Sequence, residues 1–77
     1  MKNTPEKAHA LYVVFVMATA MGQTLKVTLF TGEEYMAKAA GSTMGWSNVE
    51  DKANLEFNTP EGRIITDFFL VKDIAIV

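Results

Sequence analysis

The chain has no cysteine, and only one histidine (His9) and two prolines occur among its 77 residues. Without thiols there is no disulfide framework and no thiolate nucleophile, and a zinc site of Cys and His ligands is excluded. There is also no large excess of charge of one sign: seven Lys or Arg stand against nine Asp or Glu, a net charge of −2. Duplex-binding domains are usually basic, because phosphate neutralisation drives their affinity, so this balance argues against strong nucleic-acid binding by a lone copy. A local basic ring on an assembly stays compatible with it. Nor is there an apolar run of about 20 residues that could span a bilayer. The nucleotide-binding loops G-x-x-x-x-G-K-[ST] and G-x-G-x-x-G are missing, and no Ser-His-Asp set can be assembled. These absences point away from an enzyme and lead us to expect no cofactor and no metal.

What is present is one small domain, spanning 1–77, near the lower size limit for a single core. Domains of this size are commonly stabilised by disulfides, a metal or oligomerisation, and the composition leaves only the last or a very good core. The apolar segment from Ala8 to Met21 carries three readings. Thr4 suits a helix N-cap, Pro5 the first helical position, Glu6 the positive end of the dipole and Gly22 the C-terminal stop, which predicts a helix over 4–22. Tyr12-Val13-Val14-Phe15-Val16 is β-branched and aromatic, which suits a strand. Two lysines, an apolar stretch and Ala18-Thr19-Ala20 resemble a secretory signal, although Pro5 and Glu6 fit its charged region poorly. A segment apolar on every side should be buried on every side, Val14 included, and a domain this small can hardly cover it alone.

From Gln23 onward the period is two. Leu25, Val27 and Leu29 alternate with Lys26 and Thr28, and Thr31-Gly32-Glu33 turns this strand back into Tyr35–Ala39. Residues 41–52 read as a long loop or a sharply bent strand with a loop tip. Ala53, Leu55 and Phe57 alternate with Asn54, Glu56 and Asn58 in a further strand. Thr59-Pro60-Glu61-Gly62 is a strong turn. The longest strand is expected at Arg63–Val71, with Lys72-Asp73 forming a turn before a short strand, Ile74–Val77. Residues 23–77 are thus expected to form antiparallel strands.

The stretch Ile64–Val71 is apolar on both faces apart from Thr66 and Asp67. Edge strands of that kind are normally blocked by charge, proline or a cover, and here no such block is visible. The economical reading is that Ile65, Phe68, Phe69, Leu70 and Val71, with Ile74 and Ile76, pair with a neighbouring copy, head to tail, in a closed ring. The competing reading is a monomer whose N-terminal segment covers the sheet.

A leading helix followed by five strands resembles the Sm-like (LSm) family. LKVTLFTGEEYMAKA is similar to that family's first two strands, and NLEFNTPEGRIITDFFLVKDIAIV to its third to fifth. The chain also resembles a phage-associated Sm-like group from marine samples. The resemblance implies a mainly β fold, an N-terminal helix before a small, strongly bent five-stranded antiparallel barrel of SH3-like shape. It implies a ring of about five to seven subunits in which the fourth strand of one pairs with the fifth of the next. It further implies binding of single-stranded RNA by loop residues around a pore, and a cytoplasmic protein (of the host cell if phage-encoded) with no membrane partner. Between the second and third strands the family places an Asp and an Asn; Asn48, Asp51 and Asn54 stand there. Between the last two it places Arg-Gly or Lys-His, where this chain has Lys72-Asp73, and the acid there opposes phosphate contact.

The candidate nucleic-acid residues are therefore Trp46, Asn48, Lys52, Asn54 and Lys72. Trp46, the only tryptophan, is either a stacking platform for a base or a plug closing the end of a small barrel. Lys52 and Lys72 offer phosphate contacts, and the amides of Asn48 and Asn54 could reach a base edge. Alternatively these are solvated loop and turn residues, and the oligomer is a scaffold that binds no nucleic acid. His9 reads as a surface or interface residue, Arg63 as a surface residue, and Glu33-Glu34 and Glu50-Asp51 as solvated turn acids.

Overall fold

The computed structural model describes residues 1–47 and 52–77. Its first element is a helix, α1 (Pro5–Met21). Thr4, extended at φ −67° and ψ 160°, accepts a hydrogen bond from the Lys7 amide at 3.3 Å, and Pro5 occupies the first turn. At the other end Gly22 is left-handed at φ 66°. There the Gly22 amide donates to the Thr19 carbonyl (3.2 Å) and the Gln23 amide to the Ala18 carbonyl (3.0 Å), a Schellman closure. The strand reading of Tyr12–Val16 is thereby overturned: strong caps at both ends outweigh the modest propensity penalty of four valine and phenylalanine neighbours.

Five strands follow: β1 (Thr24–Leu29), β2 (Glu34–Ser47), β3 (Lys52–Thr59), β4 (Gly62–Asp67) and β5 (Val71–Ile76). They form one antiparallel sheet in the order β4-β3-β2-β1-β5. The sheet is not closed; β4 and β5 are its two edges. The fold is thus mainly β with an N-terminal helix, as expected.

Three boundaries differ from the sequence reading. The longest strand is β2, at 14 residues, because the chain bends without leaving the sheet. Its register to β3 shifts between Lys38 and Thr43, and Gly41 sits there at φ 81°, a conformation open to glycine at little cost. The strand expected at Arg63–Val71 instead stops at Asp67, and Phe68–Leu70 form a 3-10 turn. Asp67 causes this: its Oδ1 accepts from the Phe69 amide (2.8 Å) and its Oδ2 from the Ala53 amide (3.2 Å). Lys72-Asp73 do not break the last strand but lie inside β5, where a register shift opposite Thr28 and Leu29 accommodates them.

The core lies between α1 and the sheet. Ala8, Leu11, Phe15 and Ala18 bury one face of the helix against Leu25, Val27, Ala37, Ala39, Leu55, Phe57, Phe68 and Val71. Phe15 is the central plug, with its ring 6.3 Å from Phe57 and 6.1 Å from Phe68. Burial of one such side chain contributes about 1.5–3 kcal/mol. The expectation that the helix is buried on every side fails. Val13, Val14, Val16, Met17 and Met21 are exposed, because one sheet covers only one face of a cylinder.

The N-terminal residues before α1 are tied down as well. The Asn3 amide nitrogen donates to the Phe69 carbonyl at 2.7 Å, and its side chain donates to the carbonyls of Phe68 and Val71. Asn3 is buried, and this anchor was not legible in the sequence.

Candidate nucleic-acid interface

The strand pairing decides which candidate side chains can act together. Trp46 of β2 lies directly opposite Ala53 of β3, and directly opposed residues of an antiparallel pair share a face. Ala53 is fully buried, so Trp46 is on the core side. Ser47 opposite Lys52 and Gly45 opposite Asn54 belong to the other face, since successive residues alternate. Lys52 and Asn54 are accordingly exposed on the outer face, turned away from the Trp46 ring.

The Trp46 indole is held in an aromatic group. It stacks on Phe69 at 5.8 Å between centroids and meets Tyr12 (5.7 Å) and His9 (5.2 Å) edge to face. Tyr12 continues the group to Phe68 at 5.5 Å, and the Lys2 ammonium lies 5.6 Å from the centre of the Phe69 ring. Of the two roles open to Trp46, the arrangement matches the plug, which seals the α1 N-terminal half against the 3-10 turn. His9 is exposed and belongs to this group, set by helix position rather than by any acid or nucleophile.

Lys72 is exposed at the start of β5, in the register shift beside Thr28. Asn48, Asp51 and the pair Glu50-Asp51 lie outside the described residues. Of the residues expected at an oligomer interface, Phe68, Phe69 and Val71 fill this chain's own core and offer almost no surface. They fold inward because Asp67 turns the chain under the helix. Ile65 on β4, Leu70 on the 3-10 turn and Ile76 on β5 are exposed, and Ile74 is half-buried.

Arg63 is more than a surface residue. Its guanidinium reaches across the outer face, donating to Asn58 Oδ1 (3.1 Å) and Thr43 Oγ1 (3.3 Å) and approaching the Gly41 carbonyl (3.5 Å). Its Nε lies 3.8 Å from Glu56. It thus clips β4 and β3 to the bend of β2. The outer face of β3 carries Lys52, Asn54, Glu56 and Asn58 in alternation, a polar row in which Glu56 and Arg63 offset each other. The period-two polar residues of β3 could have pointed to this row.

Among the acids read as turn charges, Glu33 has defined partners. Its carboxylate accepts from Thr31 Oγ1 at 3.0 Å and from the Tyr35 hydroxyl at 2.5 Å. The Tyr35 bond, then the Thr31 bond, hold the Glu33 carboxyl below its ordinary value, and the same carboxylate holds the Tyr35 phenol above its own. Among the described residues no group of three His, Cys, Asp or Glu is placed to hold a metal, and no helix is long and apolar enough to cross a membrane. Two open clefts, of about 290 and about 310 Å³, lie at the sheet margins, the first lined by Met36, Lys38 and Pro60 and the second by Leu29, Phe30 and Leu70.

Compared with models of protein families, with curated proteins and with solved structures, the chain finds no match.

Proposed function

We propose that this chain is a non-enzymatic module that assembles into a closed ring, by pairing the β4 edge of one copy with the β5 edge of the next, and that the ring binds single-stranded nucleic acid, RNA in preference to DNA. In this reading the sheet is a strongly bent, Sm-like barrel completed at its open side by its neighbours. The observation that carries it is the state of the two edges. Among the described residues β4 pairs only with β3, and β5 only with β1. Lys72, Asp73 and the register shift protect the first half of β5, whereas Ile64–Thr66 and Ile74–Ile76 carry neither charge nor proline. Ile65 and Ile76 are 72% and 60% exposed. Head-to-tail pairing of two different edges closes into a ring when the rotation per copy allows, here about five to seven copies.

Nucleic acid would meet the outer-face row of Lys52 and Asn54, together with Lys72. Cyclic repetition turns one modest contact per copy into a multivalent site, despite the negative total charge. A second reading, a scaffold without nucleic-acid binding, is favoured by one specific observation: Trp46 and the pair Lys52 and Asn54 face opposite sides of the sheet. The test is light scattering at micromolar concentration, then fluorescence anisotropy with short oligo-U, oligo-A and the matching DNA across a salt series. The reading requires several times the 8.5 kDa chain mass and salt-dependent binding. A folded monomer overturns the ring, and a ring that binds none of the oligonucleotides at low salt leaves the scaffold.

A further inference from the structure

Helix α1 is apolar all round but covered on one side only. Its buried face is Ala8, Leu11, Phe15 and Ala18. On the opposite side Ala10, Val13, Val16, Met17, Ala20 and Met21 form a continuous exposed stripe. Val13 and Val16 are each 40% exposed, Met17 60% and Met21 69%. From Ala10 to Met21 there is no Lys, Arg, Asp or Glu. We infer that this face docks against the same face of a second copy of the chain, with the two helices antiparallel about a two-fold axis.

Charge selects the occupant. A partner with a charged surface would lose hydration against this stripe and gain no counter-charge, which is costly. A second copy brings an uncharged surface of equal length and like composition. Centred between Val13 and Met17, antiparallel pairing sets Ala10 of one helix opposite Ala20 of the other. Small residues at both ends then allow the axes to approach closely. A face that contacts itself gives an isologous, closed pair and leaves no open end for fibres.

Area sets the strength. The stripe offers on the order of 400 Å², within the range at which apolar patches mark interaction sites. A stable interface buries about 800 Å² on each partner, so one pair of helices is a weak contact. Resting on the ring reading above, the same contact repeated by every copy of two facing rings becomes durable through multivalency. The helix face therefore joins rings in pairs, a level of assembly separate from the strand edges.

The test is native mass in solution for the wild-type chain, Met17→Glu and Ile65→Glu, with melting and circular dichroism recorded for each. Met21→Lys is the companion to Met17→Glu, since a cation in the last helical turn favours the helix itself. Met17→Glu and Met21→Lys are expected to halve the wild-type mass with an unchanged fold, whereas Ile65→Glu dissolves the ring. A multimeric mass that neither helix variant changes overturns the helix pairing and leaves the ring. A wild-type mass of twice 8.5 kDa, reduced to one chain by Met17→Glu, keeps the helix pairing and removes the ring. A monomeric wild type overturns both. Wild-type binding to phosphatidylcholine vesicles that Met17→Glu abolishes, at unchanged protein mass, assigns the stripe to a lipid surface and overturns the pairing.

Discussion

The side-chain amide of Asn3 donates a 2.8 Å hydrogen bond to the carbonyl oxygen of Phe68, 65 residues along the chain. The same nitrogen reaches the Val71 carbonyl at 2.5 Å, so one residue ahead of the helix closes both ends of the 3-10 turn between β4 and β5. The carbonyls of a turn that short have few partners within the backbone ladder, and Asn3 supplies the donors from outside.

Asn3→Ala is therefore expected to cost about 1–3 kcal/mol, because buried acceptors lose their donor without gaining water. Urea unfolding followed by circular dichroism measures it. A midpoint equal to wild type would mean that the anchor contributes nothing.

The helix faces predict a contrast between neighbours. Phe15 is fully buried while Val14 is 37% exposed. Phe15→Ala should cost about 3–5 kcal/mol, and Val14→Asp much less, since its carboxylate reaches solvent. Equal losses of melting temperature at the two sites would refute this orientation of α1.

The bend of β2 predicts a contrast between glycines. Gly41 has φ 81°, and an added Cβ would lie 3.3 Å from Asn58 Nδ2, whereas a Cβ at Gly45 would meet nothing within 4 Å. Gly41→Ala should lose about 1–2 kcal/mol from the left-handed backbone alone. Gly45→Ala should stay within about 0.5 kcal/mol of wild type. Thermal melts of the two variants side by side decide it.

Trp46 separates plug from platform. Its aromatic pairs contribute about 0.5–1.5 kcal/mol each beyond area, so Trp46→Ala should destabilise the fold by on the order of 2 kcal/mol. A variant that melts like wild type yet loses oligonucleotide affinity would instead make Trp46 a stacking surface for bases.

The Glu33–Tyr35 bond predicts a pH dependence at both extremes. Glu33 is held below its ordinary value of 4.5, so its contribution is present above that value and is lost as pH falls through the lowered one. Tyr35 is held above 10.0, so its share is present below that value and is lost as pH rises through the raised one. Carbon-detected NMR titration of the Glu33 carboxyl should show its midpoint move up in Tyr35→Phe. An unmoved midpoint would mean that the hydroxyl bond does not persist in solution.

Much of the local structure follows from neighbouring residues alone. Thr4-Pro5-Glu6 and Gly22 bound the helix, Thr31-Gly32-Glu33 and Thr59-Pro60-Glu61-Gly62 turn the two hairpins, and the alternation in β1 and β3 fixes which residues face inward. Each is a short-range preference of capping, φ or period, so the sequence expresses it directly. The absence of cysteine, with a single histidine, likewise settled which stabilising devices were closed to the chain. Only the tertiary structure decided the rest. That Asn3 and Asp67 shape the turn at Phe68–Leu70 depends on backbone groups of Ala53, Phe68 and Val71, distant in sequence from at least one partner. That Phe68, Phe69 and Val71 are core follows from that turn, since apolar residues read alike whether they face a neighbour or their own helix. That Trp46 and Lys52 diverge follows from a pairing register set across a bend at Gly41, where a shift of one residue exchanges the two faces of the sheet.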